Sequence, residues 1–215
     1  ANLTQDERLE TAALLVPRLL AAGKLAIVHV GQTNQRQAVE LARQAAALGA
    51  HAVASIPPKK PWPQIVEYYK ALAAAGAPVI VYYIPGVTGM TAGMPELRML
   101  LDIPGVAGIK MSDWNIFLLR SVVLEYPEKV VYSGVDEMLV PGLLYGADGC
   151  IGTWANLLPD LYAKVYARVR AGGTDAVKPV MDEFTAFLAV GWNYGIIDTF
   201  EELMRARGYA GRCFR

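Results

Sequence analysis

The chain has 215 residues, with 20 Lys and Arg against 20 Asp and Glu, 54% hydrophobic and 19% charged residues. This excludes a disordered chain, which needs low hydrophobicity and a large net charge. It also argues against a nucleic-acid partner, because neutralising phosphates takes a surplus of Lys and Arg. Cys150 and Cys213 are too few for a disulfide framework, and no apolar leader opens the sequence, so a reducing cytoplasm is the expected compartment. The uncharged stretch 71–95 contains Pro78 and Pro85, so it reads as helix end, strand and loop; no membrane partner is expected.

Along the chain, Thr4-x-x-Glu7 is a capping box that opens a helix running toward Ala22. A strand is expected over 25–30, closed by Gly31, and a helix over 34–48. Strand 52–56 is stopped by Pro57 and Pro58. Helix 64–75, strand 79–84, a short helix 95–101 and strand 106–111 follow. Next come helix 115–125, strand 130–133, helix 138–145, strand 150–153 and helix 161–170, and everything beyond is helical in period. Six strands each followed by a helix predict a parallel sheet with helices outside it.

Two architectures satisfy that pattern, an open doubly wound sheet or a (β/α)8 barrel. The turn after Val30 reads Gly-Gln-Thr-Asn-Gln, not the Gly-x-Gly-x-x-Gly that a dinucleotide-binding sheet needs there, which favours the barrel. Six strands do not close it, and the sequence opens on a helix. At about 30 residues per βα unit in a ~250-residue barrel, strands 1 and 2 are expected to be absent from this chain. The expected organisation is a (β/α) barrel over 1–173, from the helix after strand 2 through helix 8. Residues 174–215 are a C-terminal helical extension of the same domain.

Barrel enzymes keep their chemistry where strands end. Lys110 stands out there, alone in charge within Val106-Ala-Gly-Ile-Lys-Met111, since a lysine is rarely buried without a reason. Either its stem is buried and its ammonium meets Asp113 or Asp136, or it is a desolvated amine that attacks a carbonyl to form a Schiff base. Alternation along the preceding strand sends Tyr82 and Tyr83 to opposite faces, so one phenol faces the barrel interior beside Lys110 and can shuttle protons. His29 reads as an ordinary strand residue. Two histidines without His-x-x-x-His and no cysteine pair give no metal site.

Four ordered segments carry a resemblance: Pro78-Val-Ile-Val-Tyr-Tyr-Ile-Pro-Gly-Val-Thr-Gly89, Gly108-Ile-Lys-Met-Ser112, Ser133-Gly-Val-Asp-Glu137 and Gly146-Ala-Asp-Gly-Cys-Ile-Gly-Thr153. They are similar to the N-acetylneuraminate lyase / dihydrodipicolinate synthase family, class I aldolases on a (β/α)8 barrel. Gly208-Tyr-Ala-Gly-Arg-Cys213 resembles that family's C-terminal segment. The resemblance implies Lys110 as the Schiff-base lysine and Tyr82 as its proton-transfer partner. It implies Ser112, Gly134, Asp136, Glu137 and Thr153 as substrate-binding residues, with no cofactor. The family's carboxylate-binding turn falls before this sequence starts, so no residue here is assigned to it.

Within the family, Val87 stands where the synthase branch usually has an arginine. Lys59-Lys60 replace an often-paired tyrosine, and Gly134-Val-Asp-Glu137 resembles the lyase pattern. The last pair reads equally as carboxylates at the start of the helix from Met138. The resemblance thus implies a lyase cleaving a 2-oxo-3-deoxy sugar acid, N-acetylneuraminate foremost, to pyruvate and an aldose. Its partners would be pyruvate and a sugar aldehyde, in a homotetramer. Another aldolase of the family, acting on a 2-keto-3-deoxy aldonate or as dihydrodipicolinate synthase, and a non-catalytic barrel fragment are the alternatives.

Overall fold

The computed structural model describes residues 3–172, 175 and 177–209. It divides into two compact units, one from Leu3 to Val131 and one from Tyr132 onward. The expected 173/174 boundary and most of the C-terminal motif (210–213) lie outside the described residues.

In the first unit α1 (Gln5–Ala21) starts at the expected capping box: Thr4 Oγ1 accepts from the Glu7 amide while Glu7 Oε2 accepts from Thr4 N–H. Strand β1 (Ile27–His29) leads to α2 (Gln35–Ala47), N-capped by Asn34. Strand β2 (Ala52–Ser55) leads to α3 (Trp62–Ala73), and β3 (Val79–Tyr83) to the short α4 (Pro85–Thr88) and then α5 (Met94–Leu101). Strand β4 (Val106–Met111) is followed by α6 (Ile116–Glu125) and β5 (Val130–Ser133). β1, β2, β3 and β4 pair in that order, all parallel.

The register sorts the strand residues into two faces. His29 pairs with Ala54, Ala54 with Ile80, Ile80 with Gly108, and Tyr82 with Lys110, so these side chains share one face. The alternate residues Val53, Val79, Val81, Tyr83, Ile109 and Met111 are buried on the other. The buried apolar set is what a helix-covered face of a parallel sheet requires, and the polar side chains gather on the opposite face. Gly108 is needed where it stands: a Cβ there would lie 2.0 Å from the carbonyl oxygen of Val130.

In the second unit the end of β5 pairs in parallel with β6 (Gly149–Cys150). Between them a 3-10 turn over Asp136–Met138 precedes α7 (Leu139–Leu144). After β6 come a second 3-10 turn, Trp154–Asn156, then α8 (Pro159–Arg170), α9 (Lys178–Tyr194) and α10 (Ile196–Ala206). Leu139, Leu143, Trp154, Tyr162, Val165, Phe184 and Leu188 form its core. The last helices therefore bury their apolar stripe in the same cluster as α7 and α8. No helix among the described residues is long and apolar enough to cross a membrane.

Candidate active site

Lys110 and Tyr82 lie opposite each other at the ends of β4 and β3. Lys110 Nζ rests over the Tyr82 ring, 4.0 Å from its centroid, a distance at which the ring's negative face attracts an ammonium. Both residues are half-buried. Of the sequence alternatives for this lysine, an ion pair with Asp113 is absent: no described carboxylate of the first unit lies within salt-bridge distance of Nζ. Tyr83 takes the opposite face. Its hydroxyl accepts from the Ala92 amide at 3.0 Å, and burial pushes its phenol up.

The surroundings of the pair are built by the strand ends. The His29 ring stands perpendicular to that of Tyr82, centroids 6.2 Å apart. Arg8, on α1, donates to the carbonyls of His29 at 2.5 Å and Gly31 at 3.0 Å, clamping the turn after β1. Behind β2, Ser55 Oγ and Tyr68 Oη share a hydrogen bond of 2.8 Å, and Tyr69 Oη donates to Ser55 O at 2.5 Å. Desolvation raises Tyr68, and raises Tyr69 well above the ordinary phenol value, so both act as fixed hydrogen-bonding posts. Ser112 follows β4 and donates its amide to Tyr83 O at 2.8 Å. Val87 is exposed on α4 and offers no charge, and Lys59 and Lys60 point to solvent.

In the second unit Asp136 is a buried carboxylate with its oxygens already engaged. Oδ1 accepts from the Tyr162 hydroxyl, and Oδ2 from the Thr153 amide at 2.9 Å. Desolvation holds its pKa above the ordinary carboxylate value, against the pull of those donors and of the Trp154 amide. The expected N-cap role is therefore replaced by a longer-range one: Asp136 pins the 152–154 turn. Gly152 is part of that lock, since a Cβ there would sit 1.8 Å from Oδ1. This turn ends β6 at Cys150, so the expected strand 150–153 stops short, and Thr153 is exposed beyond it. Glu137 is only half-buried, and its Oε1 accepts from the Trp192 indole N–H at 2.5 Å. Gly134 lies between Ser133 and that acidic turn.

Three side chains of these surroundings were not legible in the sequence. Tyr162 and Trp192 reach Asp136 and Glu137 from 26 and 55 residues away, and Arg8 reaches the β1 turn from the first helix. No local pattern marks such partners. His29 carried a signal, a polar residue at a strand end, but alternation alone does not say which face it occupies.

Parallel βα units presenting an amine over a phenol at neighbouring strand ends define the class of α/β protein to which this chain conforms. The chain belongs to the Dihydrodipicolinate synthetase family, which it matches over residues 2–208. It is 32% identical over 197 residues to an N-acetylneuraminate lyase of Rhizobium meliloti (strain 1021), covering 89% of this chain and 65% of that protein. To the N-acetylneuraminate lyase of Haemophilus influenzae it is 30% identical over 192 residues, covering 87% and 66%. The chain thus spans about 65% of the length of these relatives. Its fold matches the crystal structure of N-acetylneuraminate lyase from Fusobacterium nucleatum complexed with pyruvate, with TM-score 0.92 at 23% identity, covering 99% of this chain and 73% of that one.

Proposed function

We propose that this protein is a class I aldolase that cleaves a 2-oxo-3-deoxy sugar acid, N-acetylneuraminate foremost, to pyruvate and an aldose. One observation carries the reading: Lys110 Nζ lies 4.0 Å from the Tyr82 ring centroid with no carboxylate partner among the described residues of its unit. An amine tied up in an ion pair is a poor nucleophile; one resting on a phenol ring is available to a carbonyl.

In this mechanism the Lys110 amine attacks the 2-oxo carbon and water leaves, giving a protonated imine. Tyr82 accepts the proton of the C4 hydroxyl as the C3–C4 bond breaks, the aldose departs as an aldehyde, and the bonding electrons move into the imine to form an enamine. Protonation at C3 and hydrolysis of the imine release pyruvate and restore the amine. By the family resemblance, Ser112, Gly134, Glu137 and Thr153 are assigned to substrate. Glu137 supplies acceptors suited to sugar hydroxyls. Asp136 enters as the residue that sets the Thr153 turn rather than as a direct ligand. The uncharged Val87 favours a substrate without a second carboxylate, since the bidentate partner for one is missing. The six strands are read as part of a (β/α)8 barrel, assembled as a homotetramer in the cytoplasm.

The test is pyruvate release from a panel of 2-oxo-3-deoxy sugar acids. Release from N-acetylneuraminate, abolished in Lys110→Met, is the expected result. Release only from a 2-keto-3-deoxy aldonate would move the assignment to the sister activity. Absence of release from every member, by protein shown to be folded, would remove the lyase reading.

A further inference from the structure

The face that carries Lys110 and Tyr82 also carries His29, two strands away on β1. The register explains how it reaches them. His29 pairs on β2 with Ala54, and Ala54 on β3 with Ile80, two residues before Tyr82 on the same face, so the side chain directly beside His29 is that of Ala54. Its methyl group leaves the imidazole free to lean across β2, where Nε2 lies 3.4 Å from the Ile56 amide, to the Tyr82 ring at 6.2 Å and 88°. That is the edge-to-face geometry in which aromatic pairs are most favourable.

The imidazole is held on its other sides as well. Nδ1 lies 3.4 Å from Arg8 Nη2, while the same guanidinium donates to the His29 carbonyl. Gly31 is moulded to the ring, because a Cβ there would come within 2.9 Å of His29 Cε1. Both groups facing the ring nitrogens, the Ile56 amide and the Arg8 guanidinium, are donors; an uncharged ring can accept from one of them, whereas an imidazolium, with N–H on both nitrogens, could accept from neither. Although part of the side chain is open to solvent, desolvation of the ring, Arg8 and Lys110 push His29 down to about 4. A cation at this place would also repel Lys110. The ring therefore meets Tyr82 as an uncharged aromatic edge.

We propose that His29 is a positioning residue for the amine–phenol pair, its ring fixing the plane of Tyr82 on which Lys110 Nζ rests. This rests on the Schiff-base reading above and deepens it: a phenol free to rotate would leave the amine and the departing hydroxyl proton misaligned. Displacements of about an ångström near reacting atoms cost up to ~100-fold in rate.

The experiment compares His29→Ala, His29→Phe and the unaltered chain by the rate of pyruvate trapping with borohydride. Nuclear magnetic resonance of the His29 Cε1–H in the unaltered chain and in Tyr82→Leu provides a check independent of activity. A ring-current shift lost in Tyr82→Leu establishes the packing even if no trapping occurs, so failure of the Schiff-base reading (no adduct on the unaltered chain) is separable from failure of the brace. The expected result is a roughly tenfold slower trapping in His29→Ala, with the half-saturating pyruvate concentration changed less than about twofold. His29→Phe should restore the rate to within about threefold and keep the pH profile, because an aromatic edge remains. His29→Ala trapping at the unaltered rate, or His29→Phe as slow as His29→Ala, would overturn the proposal. So would a His29 resonance indifferent to Tyr82.

Discussion

Replacing Tyr162 by Phe removes one oxygen atom and leaves the ring that packs against Phe184, 5.6 Å away edge-on. What is lost is the hydrogen bond from the Tyr162 hydroxyl to Asp136 Oδ1. The carboxylate keeps the Thr153 amide at 2.9 Å and the Trp154 amide, so one of three donors disappears from a buried charge. A hydrogen bond to a charged group contributes about 1.5–3 kcal/mol, and partial relaxation onto the remaining donors puts the loss near 2 kcal/mol. With a urea slope of about 2 kcal/mol/M the midpoint should fall by roughly 1 M.

The deficit should also depend on pH. Desolvation holds Asp136 above its ordinary value of 3.8, and the Tyr162 hydrogen bond pulls it back down. A carboxyl raised on folding contributes stability that is full below its unfolded value and is lost as pH rises through the folded one. Without the hydroxyl the folded value climbs further, so the Tyr162→Phe deficit grows from acidic pH toward neutrality and then levels off. Urea unfolding of both proteins across that range, followed by tryptophan fluorescence, reads this directly. A deficit under about 0.5 kcal/mol at neutral pH, or one of the same size at acidic pH, would refute the account of Asp136 as a carboxylate locked by its donors.

Other consequences follow from single contacts. Gly108→Ala places a methyl against a main-chain carbonyl that cannot swing aside, so denaturation should show a loss of about 1–3 kcal/mol; an unchanged midpoint would contradict the close approach of Val130 to β4. Trp192→Phe deletes the donor to Glu137. The sugar acid's KM should rise several-fold while pyruvate trapping is unchanged, and an unchanged KM would argue against Glu137 as a substrate ligand. Arg8→Met keeps the aliphatic stem but frees the carbonyls of His29 and Gly31, with an expected loss of about 1–2 kcal/mol in urea.

The β-α alternation was legible because each strand is a short apolar run bracketed by Gly, Pro or polar residues. β2, β3 and β4 fall within a residue of expectation. The outline slipped in three places, one of them through a long-range contact. β6 shrinks to two residues because the turn after it folds onto the Asp136 carboxylate. The helix expected from Met138 starts at Leu139, after a 3-10 turn. Pro85-Gly-Val-Thr88 curls into a helical turn that Thr88 Oγ1 closes on Ile84 O, in a stretch whose Gly and Pro read as loop. Lys110 was legible by a different route, as a lone charge in an apolar strand; alternation left Tyr82 and Tyr83 both open, and the family resemblance pointed to Tyr82. His29 against Tyr82 and Tyr162 against Asp136 depend on register and on contacts far apart in sequence, which no window of residues contains.

The central claim is that the Lys110 amine condenses with a ketone. Incubating the protein with pyruvate and borohydride, then mapping the adduct by peptide mass spectrometry, tests it most directly. A reduced pyruvyl adduct on the peptide holding Lys110, absent in Lys110→Met, is the predicted result. Folded protein that stays unlabelled, or that is labelled elsewhere with Lys110 untouched, would contradict it.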